Sequence, residues 1–387
     1  MSPKRKPEPY NGFEQGPIRP PNEAYSLLIR LTRNCPWNRC AFCPVYKGKK
    51  FSLRPLEHLK QDIDTVHKYV MRLWRLADES GQVNPVELRK AMGNVDDGES
   101  QAFHAALHWF AGGLKSVFIQ DANSLIMKPA DLVEILKYMK ERFYWVERVT
   151  SYARSRTIAR IKDEDMKAFR EAGLTRIHIG LESGSDNVLK MINKGVTKAD
   201  HIKAGLKVKN AGIELSEYVM PGLGGKSLSE EHALETADAL NQINPHFIRL
   251  RTLAIPNRVE LYKEYQEGRF EKCTDVMVAK EILLFLENLD SITSVLKSDH
   301  ILNLFQDVEG TFPRDRDMMI GKVKAFLEME PEKQCVYQVG RRLGIFSGLG
   351  DMEDSHRMAK AEKTCGELQI TPRNVNEIAD ELMKRFI

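Results

Sequence analysis

One short run, Asn34-Cys35-Pro36-Trp37-Asn38-Arg39-Cys40-Ala41-Phe42-Cys43-Pro44, constrains this chain more than any other stretch. Three of the six cysteines fall within nine positions, directly after an apolar run, Tyr25 to Leu31, that reads as a strand. Three thiolates on one loop are one short of the closed four-ligand set of a structural zinc or an ordinary electron-transfer iron–sulfur cluster. The next cysteine is Cys273. The loop therefore suggests a [4Fe–4S] cluster held by Cys35, Cys40 and Cys43, with one iron left open. A zinc site that borrows a distant fourth ligand is the competing reading. A disulfide within the trio suits neither a paired framework nor a reducing compartment. Cys273, Cys335 and Cys365, each alone, read as buried and inert.

With 387 residues the chain can bury one large core plus an appendage, or two domains. Its 42% hydrophobic and 29% charged content is that of an ordinary globular protein, and a formal net charge of +4 gives no argument for nucleic acid. The stretch through Lys50 is basic (Lys4, Arg5, Lys6 and Lys47, Lys49, Lys50 among others), which suits a solvated face or contact with an anionic substrate or a reductant. No apolar run reaches the roughly 18 residues needed to span a bilayer. The polar first residues, Met1 to Pro9, carry no secretory pattern, so a cytoplasmic, oxygen-poor setting is expected.

Residues 1–24 hold six prolines and no periodicity, and are expected to form an extended N-terminal arm. Residues 25–270 carry the rhythm of βα units. Strands are expected at Ser116–Ile119, Arg148–Tyr152, Arg176–Leu181, Ile213–Met220 and Phe247–Ala254. With the first strand they make a partial (β/α)6-type barrel of parallel strands. Helices are expected at Leu56–Ala77, Pro129–Phe143, Glu164–Ala172, Asp186–Ile192 and Ser229–Gln242. Residues 78–100 read as an acidic insertion with one short helix near Pro85–Met92. On the helix after it, His104 and His108 have metal-ligand spacing, but Phe103 and Trp109 beside them favour packing. Residues 271–387 are expected to be a mostly helical cap. Its helices fall at Cys273–Asn288, near Asp315–Met329 and at Val375–Phe386, with a segment around Asp299–Asp307 and a possible extra strand at Ile292–Leu296.

In parallel barrels the chemistry lies at the C-terminal ends of the strands. After the third strand, Ser151 and Arg154 offer a hydroxyl and a guanidinium that suit a carboxylate. On the sixth, alternation places Arg249 and Arg251 on one face, and Arg251 is the candidate for a cofactor carboxylate or an acidic substrate; both arginines facing outward is the alternative. After the candidate seventh strand, Asp299 and His300 are possible proton donors or acceptors, although Asp299 would serve equally as a helix N-cap.

The cysteine loop, together with Ile177-His178-Ile179-Gly180-Leu181-Glu182-Ser183-Gly184-Ser185, resembles the radical S-adenosylmethionine (SAM) superfamily. Phe42 is the aromatic that precedes the third cysteine in that pattern. The first gap, Pro36 to Arg39, is four residues where the common form has three. The resemblance implies that SAM chelates the open iron and that an external donor of flavodoxin or ferredoxin type supplies an electron. A 5′-deoxyadenosyl radical then abstracts hydrogen from a substrate carbon. It implies further that Glu182 accepts from the ribose hydroxyls, and that Gln120, Asp121 and Asn123 accept from the methionyl ammonium. Ser216 would meet the carboxylate, and the Pro221-Gly222 turn would line the adenine pocket. His178 would point into the barrel beneath the cofactor, where a satisfied core histidine explains it equally well. The substrate is read as a small molecule or a lipid, with nucleic acid unlikely. An RNA-modifying enzyme and a non-catalytic iron–sulfur or cofactor-delivery protein stay open.

Overall fold

Short apolar runs bounded by turns become strands, and longer segments with helical periodicity cover them. The result is an α/β fold with a mostly parallel eight-stranded sheet. The computed structural model describes residues 8–384, so Lys4, Arg5, Lys6 and the end of the helix expected to reach Phe386 lie outside the described residues. The strands are β1 (Leu27–Ile29), β2 (Ser116–Ile119), β3 (Arg148–Ala153), β4 (Arg176–Glu182), β5 (Glu214–Val219), β6 (Phe247–Leu250), β7 (Val295–Lys297) and β8 (Gly310–Thr311). They follow one another in chain order. The chain divides into two compact units, residues 8–36, 48–178 and 210–213, and residues 37–47, 179–209 and 214–384.

In the first unit β1, β2 and β3 are parallel, with Leu27 opposite Val117 and Ser116 opposite Arg148. β2 is buried along its whole length, which is why it reads as a continuous apolar run and not an alternating one. The helix Leu56–Leu76 buries a stripe of Leu59, Ile63, Val66, Val70 and Leu73 at three- and four-residue intervals. His108 on the helix Ser100–Ala111 is exposed, bonds the carbonyl of Ala24 at 2.7 Å and stacks on the Tyr25 ring. In the 78–100 insertion Asp78 accepts from the backbone N–H groups of Ser80 and Gln82, and Asn84 caps the helix Pro85–Gly93.

The arm before β1 is tied down residue by residue. Gly16 donates its N–H to the Gln120 carbonyl oxygen at 2.7 Å, and the Gln120 amide returns bonds to the carbonyls of Gly16 and Ile18. Further along, fully buried Glu23 meets Ser26, Arg148 and His178, while Asn22 bonds His178 Nε2 at 3.1 Å.

In the second unit β5, β6 and β7 are parallel, and β8 runs antiparallel to β7. The strand expected to reach Ala254 stops at Leu250, and the extra strand falls at Val295–Lys297, slightly beyond Ile292–Leu296. No helix forms at Asp299–Asp307, because the segment's polar groups bond neighbouring loops and strand ends instead. Five α-helices are additional to those expected from sequence: Ser155–Ile158, Lys198–Asn210, Glu260–Gln266, Pro331–Arg342 and Ser355–Glu367. The sheet thus continues past residue 270 into the region expected to be helical.

Candidate functional site

Asn34 and Asn38 adopt left-handed backbone angles (φ 68° and 47°), which asparagine tolerates better than most residues and which let the cysteine loop turn tightly. Cys35, Cys40 and Cys43 form no disulfide and are half-buried. The loop is fastened to the turn that follows the helix Asp186–Met191. Trp37 donates its indole N–H to Asn193 O at 2.8 Å, and Ala41 N–H bonds Ile192 O at 2.8 Å. Leu261 N–H bonds Ala41 O at 3.0 Å, and Phe42 packs on a core of Val188, Ile192, Leu223 and Phe270. Gly195 is required here, since its φ is +69° and an added Cβ would come within 2.3 Å of the Trp37 ring. The other three cysteines are buried, and burial first, then Glu281, pushes the Cys273 thiol up to about 12. Among the described residues no three His, Cys, Asp or Glu side chains gather as around a single metal ion. A cubane cluster, by contrast, takes its thiolates one to each iron.

At the end of β2 the polar residues named from sequence are all buried. Asp121 accepts from Arg30 Nε at 2.7 Å and from the backbone N–H of Asn34 at 2.8 Å, so it fixes the residue just before Cys35. Asn123 joins the ends of β2 and β3, accepting from Arg154 N–H at 3.0 Å and donating to Thr157. Gln120 holds the N-terminal arm. Ser151 donates to Tyr152 O at 3.1 Å. His178 is fully buried against the rings of Phe118 and Tyr152, and its Nε2 is bonded to the arm.

Glu182, at the end of β4, has φ +63°, and its carbonyl accepts from Met220 N–H at 3.0 Å. Its carboxylate accepts from Lys194 Nζ at 2.8 Å, and that ammonium lies 5.8 Å from the centre of the Phe42 ring. Lys194 thereby links the motif glutamate to the cysteine loop. Gly180 leaves room for this pair, since a Cβ there would lie 2.2 Å from Glu182 Oε1. Glu217 was missed by sequence reasoning. It is fully buried on β5, and neither carboxyl oxygen has a protein partner. Burial, and then the nearby Glu182 charge, raise its pKa well above the usual carboxylate value, against the pull of Lys194. The signal was a glutamate inside an otherwise apolar face formed by Leu215 and Val219.

Gly222, with φ +85°, donates its N–H to Glu281 at 2.6 Å. His232 bonds Ser183 Oγ at 2.8 Å and Met220 O at 3.0 Å, so a buried network fixes this turn from behind. Ser216 Oγ accepts from Arg249 Nε at 3.2 Å, and Arg249 also pairs with Asp299 at 3.3 Å. The expected common face for the two arginines is not kept: Arg249 is buried, while Arg251 lies past the strand end and is exposed. Asp299 caps no helix. His300 Nδ1 accepts from Leu302 N–H at 3.2 Å, and burial together with the Arg251 charge lowers its pKa to about 4.

Comparison with known proteins finds two sequence relatives and one structural alignment to report. Over 110 residues the chain is 24% identical to a tRNA uridine(34) acetyltransferase from Methanocaldococcus infernus, covering 28% of this chain and 21% of that protein. Over 141 residues it is 28% identical to a tRNA-2-methylthio-N(6)-dimethylallyladenosine synthase from Syntrophus aciditrophicus, covering 34% and 29%. The chain thus spans about a fifth to under a third of these relatives. The solved structure of coproporphyrinogen III oxidase from Escherichia coli aligns at 13% identity and TM-score 0.43, covering 68% of this chain and 52% of that one. With tRNA-modifying enzymes among its relatives, the expectation that nucleic acid is unlikely finds no support. Residues 101–237 match the family model of the Radical SAM superfamily, whose members use a [4Fe–4S] cluster and SAM.

Proposed function

We propose that this chain is a radical SAM enzyme in which Cys35, Cys40 and Cys43 ligate a [4Fe–4S] cluster. The observation that carries the reading is the Glu182–Lys194–Phe42 chain of contacts, which ties the motif glutamate to the cysteine loop. When bound and reduced, cluster and SAM together supply a 5′-deoxyadenosyl radical that takes hydrogen from a carbon. The protein's part is to bind, orient and exclude water. Glu182 accepts from the ribose hydroxyls, and Glu217, protonated and within the field of Glu182, offers a hydroxyl donor on the same side. The Gly222 turn leaves room for the adenine. Asp121, Asn123, Ser151, Arg154 and Ser216 supply polar groups at the strand ends for the methionyl moiety, and Asp121 also sets the entry to the cysteine loop. An electron donor of flavodoxin or ferredoxin type and an oxygen-poor cytoplasm complete the reading.

Anaerobic reconstitution tests it. The wild type is expected to hold about four irons per chain and, with dithionite, to release 5′-deoxyadenosine from SAM. Cys40→Ala should lose the iron. Glu182→Gln should keep the iron but weaken SAM binding about tenfold or more, the scale of a charge-assisted hydrogen bond. A wild type that holds iron yet never cleaves SAM would leave the cluster-delivery alternative. For the substrate, a small molecule or lipid remains the first reading, and the two tRNA-modifying relatives favour RNA as the second. Binding to bulk tRNA at stepped salt separates them, because phosphate contacts give a steep linear fall of log affinity with log salt.

A further inference from the structure

β6 and β7 are parallel neighbours, with Ile248 opposite Leu296 and Arg249 opposite Lys297, so the residues that follow them emerge at the same end. Arg251 follows β6. Its guanidinium is exposed and, among the described residues, has no carboxylate partner, whereas the buried Arg249 has Asp299. His300 lies on the loop after β7 and is stitched in place. Asn303 Oδ1 accepts from Thr252 N–H at 2.8 Å and from Thr252 Oγ1 at 3.1 Å, and Asn303 Nδ2 donates to Leu250 O at 2.9 Å. Two buried arginines of the helix Pro331–Arg342 hold the same loop by its backbone. Arg341 donates to Asn303 O at 2.8 Å and Leu304 O at 2.9 Å, and Arg342 to Leu302 O at 2.7 Å. The imidazole is therefore oriented as well as positioned. The Leu302 N–H on Nδ1 leaves the ring proton on Nε2, which has no protein partner among the described residues.

A cation without a counter-charge beside a fixed neutral N–H donor is the electrostatics of an anion site. A solvated surface arginine would not need a neighbouring loop held by so many buried bonds. β6 and β7 lie two and three strands along the sheet from β4, so at about 4.8 Å per strand the pair stands roughly 10 Å and more from Glu182, the residue assigned to the cofactor's ribose.

We propose that Arg251 and the Nε2–H of His300 form a subsite for an oxyanion carried by the substrate, a carboxylate or a phosphate ester. This deepens the radical SAM reading, on which it rests for what is substrate and what is cofactor. Neutral His300 donates without having to lose or gain a proton, and Arg251 supplies the charge. Nothing is transferred covalently at this point; the subsite holds one end of the molecule while hydrogen is abstracted elsewhere on it.

The test uses the full-length chain, reconstituted anaerobically, with histidine-labelled imidazole resonances followed by NMR and His300 identified by its loss in His300→Gln. Inorganic phosphate and acetate are titrated separately, which distinguishes the two anion sources. The expected result is a saturable shift of the His300 signal by one of them, weakened about tenfold or more in Arg251→Gln, with Arg251→Lys intermediate. An unmoved signal with both anions overturns the proposal, as does an equal shift in Arg251→Gln. S-adenosylhomocysteine is then added. If it alone produces the His300 shift and abolishes that of the anions, Arg251 holds the cofactor and the substrate subsite falls. Iron content and 5′-deoxyadenosine release report on the radical SAM reading separately, so failure of one is not mistaken for failure of the other.

Discussion

Burial without a hydrogen-bond partner favours the neutral form of a carboxyl group, and Glu217 is such a group. Its folded pKa is raised above the ordinary value of 4.5, so the folded state binds more protons than the unfolded chain over that interval. The stability involved is fully present below the unfolded pKa and is lost as pH rises through the folded one, by at most about 1.4 kcal/mol per pH unit. Glu217→Gln keeps the shape without the titration. Its denaturation midpoint between about pH 5 and pH 9 is expected to lose this part of the alkaline decline, as measured by chemical denaturation of both proteins. Identical pH slopes would show that Glu217 is ionised when folded. Glu23 has the opposite sign. Burial opposes its charge, but the hydrogen bond from His178, the charge of Arg148 and the Ser26 hydroxyl outweigh it and hold the pKa at about 2. That stability is present above the unfolded value and is lost as pH falls through the folded one.

Among the elements, the turn at Ile192–Gly195 matters most, because the cysteine loop leans on it through Trp37 and Ala41. Gly195→Ala would place a methyl within 2.3 Å of the Trp37 ring at a φ of +69°. We expect this variant to retain less than about half the wild-type iron after reconstitution, given a strain of order 1–3 kcal/mol focused on the loop, while far-UV circular dichroism stays unchanged. Full iron retention would mean the loop does not depend on the turn. Much of this architecture was legible in the sequence. β2 was placed to the residue because Ser116-Val117-Phe118-Ile119 is short, apolar and bounded by turns, and the long helix Leu56–Leu76 has a clean periodic stripe. The missed helices lack such a stripe. Lys198–Asn210 buries His201 and Gly205 beside Ala204 and Val208, and Pro331–Arg342 buries two arginines whose partners are backbone carbonyls far away in the chain. Lys194 and Glu217 escaped for the same reason: a charged residue declares a role only when its distant neighbours are known.

At the scale of the whole chain, each unit has its own buried core, and a separate cluster of Cys335, Val339, Cys365, Val375 and Leu382 packs the C-terminal helices together. Among the described residues no helix is long and apolar enough to cross a membrane. A net charge of +4 over 387 residues leaves local features, and not a global field, to steer any anionic partner. The segment before β1 has a practical consequence for anyone trimming this protein. Its described residues, 8–26, look dispensable, being proline-rich and without helix or strand beyond one short turn, yet they supply the answering groups for Gln120, Arg148 and His178. A version beginning at Tyr25 would strip the buried Gln120 of the arm groups it bonds, at about 1–3 kcal/mol, and would remove the Glu23 carboxylate that Arg148 and His178 meet. We expect it to melt several degrees lower or to be recovered insoluble, and a shortened form with an unaltered melting temperature would refute this. Residues 16–23 are better regarded as an inner wall of their unit than as a dispensable strap.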